Sequence, residues 1–147
     1  MAESKDALIA SYFYLEITGK LTGAFREVTG LGSENAVVEQ KERGADGKFV
    51  LKKLPGTLKW NDITLKQGMT DSMDMWKWRK MVEEGDVAKA RANGSITMMD
   101  TTGKAVAKWT LINCWPSKIT GPMGKADGNE VAVQEMVLAL EGYERTQ

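Results

Sequence analysis

The chain has 147 residues, 20 lysines and arginines against 20 aspartates and glutamates, no histidine and one cysteine, Cys114. That length supports one domain with a real core. Zero net charge argues against a generic nucleic-acid binder, and the missing histidines exclude Ser-His-Asp and Cys-His nucleophiles, HExxH zinc sites and the usual near-neutral acid-base group.

The opening Met1-Ala2-Glu3-Ser4-Lys5-Asp6 has no basic segment. The apolar run Ala7 to Leu15 alternates like a strand and lacks a small-residue cleavage site, so synthesis in the bacterial cytoplasm without a signal peptide is expected. Met136 to Leu140 and similar runs are too short to span a bilayer, so no membrane anchor is expected. No repeat or Pro/Ser-rich linker divides the chain, which reads as a single domain over 1–147.

The first expected strand is Tyr12 to Ile17, with Phe13, Leu15 and Ile17 on one face. Thr18-Gly19-Lys20 turns into a second, Gly23 to Thr29, punctuated by Gly30-Leu31-Gly32. Val37 to Arg43 and Lys48 to Leu54 then form two β-prone arms around the turn Gly44-Ala45-Asp46-Gly47. The arms are rich in charge (Glu39, Lys41, Glu42, Arg43, Lys48, Lys52 and Lys53) and poor in core-forming side chains beyond Val37, Val38, Phe49, Val50 and Leu51. An isolated two-stranded ribbon is marginal in water. The segment reads either as a solvated loop or as an arm ordered by pairing with another subunit.

Thr57 to Lys66 is expected as a core strand through Leu58, Trp60, Ile63 and Leu65, with a bulge at Asn61-Asp62 where the parity switches. Asp71 to Glu84 is the convincing helix, with Thr70 or Asp71 as N-cap and Gly85 as the residue beyond its C-cap. Met75, Trp78, Met81 and Val82 form its core stripe. Met73 and Trp76 lie on the other side, beside Lys80, as a satellite of the core or, by preference, a contact with a neighbour.

Gly94 to Met99 and Lys104 to Trp115 are expected to pair around Asp100-Thr101-Thr102-Gly103, with Pro116 ending the pairing. Gly121 to Asn129 is a polar loop, and Glu130 to Tyr143 a final strand with a bulge near Gln134-Glu135. The pattern is α+β: a mostly antiparallel β-sandwich or barrel with one flanking helix and an extended polar hairpin.

Chemistry is sparse. Gly124-Lys125 lacks the glycine and hydroxyl spacing of a phosphate loop, since Ile119 and Ala126 stand there. Asp127-Gly128-Asn129-Glu130 does not fit an EF-hand loop, Glu83-Glu84 reads as a solvated helix end, and Cys114 as a small buried residue. The five tryptophans suit the core and interfaces better than base stacking. No catalytic residue, cofactor or metal ligand is expected.

An ordered set of segments resembles tail tube proteins of contractile phage tails and contractile injection systems. It runs through Tyr12-Phe13-Tyr14-Leu15-Glu16-Ile17, Gly23-Ala24-Phe25-Arg26-Glu27-Val28-Thr29-Gly30-Leu31, and Lys53-Leu54-Pro55-Gly56. It continues through Ile63 to Ser72, Trp76-Lys77-Trp78, Asn93 to Ile96, Trp109 to Pro116, Gly128 to Val133 and Glu141-Gly142. The resemblance implies a fold shared with the hemolysin-coregulated protein of type VI secretion. It also implies hexameric rings stacked into a hollow tube, a surrounding contractile sheath, baseplate, spike and tube-capping partners, and protein cargo in the lumen.

It assigns inter-ring and inter-subunit contact to the hairpin, here Val37, Glu39, Lys41, Arg43, Asp46, Lys48, Phe49, Lys52, Lys53 and Leu54. Met73, Trp76 and Lys80 become the helix surface toward a neighbour or the sheath. The length, the Lys-Leu-Pro-Gly hairpin and the Trp-x-Trp helix favour the injection-system branch over a DNA phage. The alternative is a monomeric binding module displaying residues 34–56 as a recognition loop.

Overall fold

The computed structural model describes residue 8 and residues 10–123 and 132–147. Of the expected loop at Gly121 to Asn129, residues 121–123 instead continue the long strand Ala105–Met123, and residues 124–129 lie outside the described residues, as do Glu130 and Val131 at the start of the final strand, Met1 to Ala7 and Ile9. Two antiparallel sheets enclose the core without closing into a barrel.

In the first sheet β1 (Tyr12–Ile17) is flanked by β2 (Leu21–Phe25) and β7 (Ala92–Met99), and β7 pairs with the front half of β8 (Ala105–Met123). A short C-terminal strand, β10 (Gly142–Arg145), joins β8 at residues 109–112. The second sheet runs from the rear half of β8 through β9 (Val133–Ala139) and β6 (Ile63–Gly68) to β3 (Glu27–Thr29).

Two chain segments therefore serve both sheets. The expected strand Gly23 to Thr29 is broken at Arg26, whose N–H still donates to Lys66 O at 3.0 Å as the chain passes from β2 into β3. β8 bends where it leaves β7 for β9. There Asn113 adopts φ +47°, its N–H donates to Asn93 Oδ1 at 2.9 Å, and its side-chain amide donates to Glu141 Oε2 at 2.7 Å. Asparagine tolerates this left-handed backbone better than other side chains.

Pro116 does not end the pairing. It lies opposite Leu138, and the register shift between Pro116 and Lys118 places it at a bulge, where a missing N–H is tolerated. The irregularity expected at Gln134-Glu135 is absent from β9, which keeps register with β6 through Gln134, Glu135 and Met136. It falls on β8 instead, so β9 presents Gln134, Met136 and Leu138 inward without interruption.

The core joins Leu15, Ile17, Leu21, Phe25, Ile96 and Leu111 of the first sheet to Ile63, Leu65, Met136 and Leu138 of the second. Helix α1 (Asp74–Glu83) covers the bend of β8 with Met75 and Trp78 buried and Met81 and Val82 packed alongside. It starts later than expected. Ser72 Oγ, not Thr70 or Asp71, accepts the Asp74 N–H at 3.3 Å. Its end follows expectation: Gly85 has φ +87°, Gly85 N–H donates to Val82 O and Asp86 N–H to Met81 O, the paired bonds of a Schellman motif. The short helix α2 (Val87–Ala90), not anticipated from sequence, follows at once and supplies the Ala90 carbonyl that accepts the Trp78 indole N–H at 2.6 Å. No helix among the described residues is long and apolar enough to cross a membrane.

Candidate functional site: the projecting arm and the helix flank

The hairpin is longer than its sequence suggests. β4 (Ser33–Arg43) and β5 (Phe49–Trp60) pair with each other and belong to neither sheet of the body. The ladder passes through Pro55 and Gly56, taking up a bulge on β5 where Gly56 and Thr57 stand opposite Ala36, so Thr57 to Trp60 belongs to the arm and only Ile63 onward to the core. Leu58, expected inside, is exposed on the arm. The parity switch at Asn61-Asp62 is the break between β5 and β6, not a bulge within one strand.

At the tip, Gly44 N–H donates to Lys48 O at 2.8 Å, Gly47 takes φ +81°, and Asp46 Oδ1 accepts the Lys48 N–H at 3.1 Å. Cross-strand register pairs Glu39 with Lys53 and Gln40 with Lys52. Lys52 Nζ reaches Glu42 Oε2 at 2.7 Å, and the Arg43 guanidinium lies 5.2 Å from the Phe49 ring centroid. Exposed pairs of this kind contribute about 0–1 kcal/mol each, so they align the ribbon more than they hold it.

Opposed residues of an antiparallel pair share a face. One face of the arm thus carries Val37, Leu51 and Phe49 among Glu39, Lys53, Lys41 and Arg43; the other carries Val38, Leu54 and Val50 among Gln40, Lys52 and Glu42. Phe49 is 70% exposed, Val37 63% and Leu51 50%. Full burial of each such side chain is worth roughly 1.5–3 kcal/mol. A ribbon with apolar side chains open on both faces leaves that free energy unused within its own chain.

The helix flank is the second candidate surface. Met73 is 60% exposed and Trp76 36%, and Lys80 points to solvent beside Glu84 at 4.0 Å. The Trp76 indole N–H donates to Oε1 of Gln134 at 3.1 Å. Gln134 is a buried polar residue that sequence reasoning missed, because an amide inside an apolar strand pattern gives no signal of its partner. Trp76 is thereby tied to β9, with its ring edge near Gly121 of β8 and part of its surface exposed.

Among the described residues no three carboxylates or thiols come together in a group that could hold a metal ion. Burial pushes the Cys114 thiol up to about 12, and its Sγ lies 3.1 Å from the Ala92 carbonyl. Both surfaces present exposed apolar side chains interspersed with charges of both signs.

Comparison with known proteins decides the lineage. Residues 10–144 match the model of the T4-like virus tail tube protein gp19. The chain belongs to the T4-like tail tube protein family. Tail tube proteins are structural subunits of phage-tail-like particles, not enzymes. Among curated proteins, none matches the sequence.

Among solved structures, the chain resembles a subunit of the PVC extracellular contractile injection system sheath-tube complex in the extended state. That likeness has 20% identity, a TM-score of 0.73, and coverage of 97% of this chain and 93% of the other. The anti-feeding prophage tube-terminating cap gives 21% identity and a TM-score of 0.73 over 99% and 95% of the two chains. Hcp1 from Flavobacterium johnsoniae gives 12% identity and a TM-score of 0.55 over 92% and 94%. These likenesses show the same fold, as the family resemblance of the sequence implied.

Proposed function

We propose that this tail tube subunit builds the inner tube of a contractile injection system rather than of a DNA-delivering phage tail. Copies close into hexameric rings, rings stack into a hollow tube, and a contractile sheath surrounds it and drives it through a target envelope. Baseplate and spike proteins would start the tube, a capping protein would end it, and protein cargo would occupy the lumen. Assembly in the bacterial cytoplasm, and action of the whole chain as one domain, are part of the same reading. β8 supports the latter by belonging to both sheets around one core.

The observation that carries the proposal is the arm, whose two faces expose Val37, Phe49 and Leu51 on one side and Val38, Val50 and Leu54 on the other. Such a ribbon finds its missing contacts on another copy. Phe49, Leu51, Arg43 and Lys41 would meet the adjoining ring or subunit, while Met73, Trp76 and Lys80 would face a neighbour or the sheath. The solved PVC and anti-feeding prophage structures of the same fold support the injection-system branch.

Negative-stain imaging of the purified chain, alone and with its cognate baseplate, should show rings or tubes. Removing Glu42 to Lys48 should leave a folded protein that no longer stacks. A strictly monomeric protein at high concentration, with no tube on added baseplate, would refute the tube reading and leave the arm as a recognition loop.

A further inference from the structure

The arm leaves the body at a clasp that a residue from the far end of the chain closes. At the entry, Gly30 has φ +92°, and a Cβ placed on it would lie 2.1 Å from the Asp62 carbonyl oxygen, so entry and exit backbones touch there and only glycine fits. One step on, the Asn61 N–H donates to Gly32 O at 3.1 Å. Over this crossing lies Tyr143 of β10. Its hydroxyl contacts the Gly32 N–H and carbonyl and stands 3.3 Å from Gly30 O. Its ring meets Trp60, the last residue of β5, edge-on at a centroid distance of 4.8 Å. Gly142 is buried against the same indole, with its Cβ direction 3.6 Å from Trp60 Cε2.

We propose that Tyr143 is a positioning residue for assembly, fixing the angle at which the arm leaves the body so that the arm is already aligned when it meets the next copy. The inference rests on the tube reading. Among the described residues β4 and β5 pair only with each other, so the angle of the arm is set at its root, where Tyr143 ties the crossing of entry and exit backbones to β10. A ribbon free to swing at Gly32 and Asn61 must be ordered on docking, and that cost falls on every subunit of a ring. Tyr143 spends it once, during folding. β10 itself is anchored by its ladder to β8, from Gly142↔Ile112 to Arg145↔Trp109, so the body holds the arm through the tyrosine.

The test is Tyr143→Phe, which keeps the ring on Trp60 and removes the hydroxyl. In the dispersed chain, amide exchange at Gly32 and Asn61 should accelerate roughly tenfold while amides of β1 and β7 stay unchanged. The concentration needed for tube formation should rise roughly fivefold. A core variant matched in thermal stability, Ile96→Val, should leave both readings at the wild-type value. Unchanged exchange at Gly32 and Asn61, or equal acceleration everywhere, would overturn the proposal. So would an identical assembly threshold in a tube-forming wild type. If Tyr143→Phe does not fold, Trp60→Leu removes the partner ring, keeps the hydroxyl, and carries the same comparison. A wild type that makes no tubes would refute the tube reading, while exchange in the dispersed chain would still decide the role of Tyr143.

Discussion

Single side chains in this molecule separate into those that make the body and those that wait for a partner. Trp78 is the clearest of the first kind, fully buried with its indole N–H on the Ala90 carbonyl. Trp78→Phe loses ring volume and strands that carbonyl, so urea unfolding should show a loss of about 2–3 kcal/mol. A change below about 0.5 kcal/mol would mean the site relaxes freely. Cys114 belongs to the same class. Its folded thiol is raised from 9.0 to about 12 by burial, so the native protein holds a proton that the unfolded chain releases earlier. The corresponding stability is fully present below pH 9.0 and is lost as pH rises toward about 12, with a slope no steeper than about 1.4 kcal/mol per pH unit. The difference between wild type and Cys114→Ala across that window isolates the effect from lysine and tyrosine titration. Alkylation near neutral pH gives an independent check, since the native thiol should resist a reagent that labels the unfolded chain at once.

At the scale of elements, the helix end and the arm respond in opposite ways to substitution. Gly85 sits at φ +87° with nothing within 4 Å of its Cβ direction, so Gly85→Ala meets strain alone and should cost about 1 kcal/mol in thermal or urea unfolding, with no effect on assembly. Phe49→Ser with Leu51→Ser removes exposed apolar surface from one face of the arm. Stability should stay within about 0.5 kcal/mol while tube formation is lost; retained tubes would show that this face meets no copy. The two elements also show what the sequence could and could not disclose. β1, the helix body and the turns at Gly44-Gly47 and Asp100-Gly103 were legible because local signals set them: alternation, a wheel stripe, glycine at positive φ, and Asp100 accepting from Thr102 and Lys104. The continuation of β5 past Pro55 and of β8 past Pro116 was not, because a proline at a bulge is tolerated only once the partner strand is in place. The break at Arg26 and the clasp at Tyr143 depend on contacts between distant segments, and periodicity carries no trace of either. Of the candidate surfaces, the arm was legible as a ribbon in need of a partner, but the anchoring of Trp76 by Gln134 was not.

For the molecule as a whole, 20 charges of each sign remove the long-range repulsion that would oppose packing identical copies side by side. Between Ser33 and Trp60 the arm carries six basic and four acidic side chains, a net charge of only +2, and Lys52 pairs with Glu42 within it, so little net charge is left to steer a partner over distance. What the arm offers a second copy is apolar area. Association driven by such area responds weakly to simple salt and is strengthened by sulfate and other excluded salts, whereas association driven by opposed charged faces collapses as the screening length shortens. The threshold concentration for tubes should therefore change less than about threefold between roughly 0.05 M and 0.5 M sodium chloride. It should fall in ammonium sulfate, and calorimetry should give a negative heat-capacity change on assembly. Sedimentation across the same salt series measures the threshold directly. A loss of tubes of tenfold or more in sodium chloride would show that complementary charged faces, rather than Val37, Phe49 and Leu51, hold neighbouring copies together.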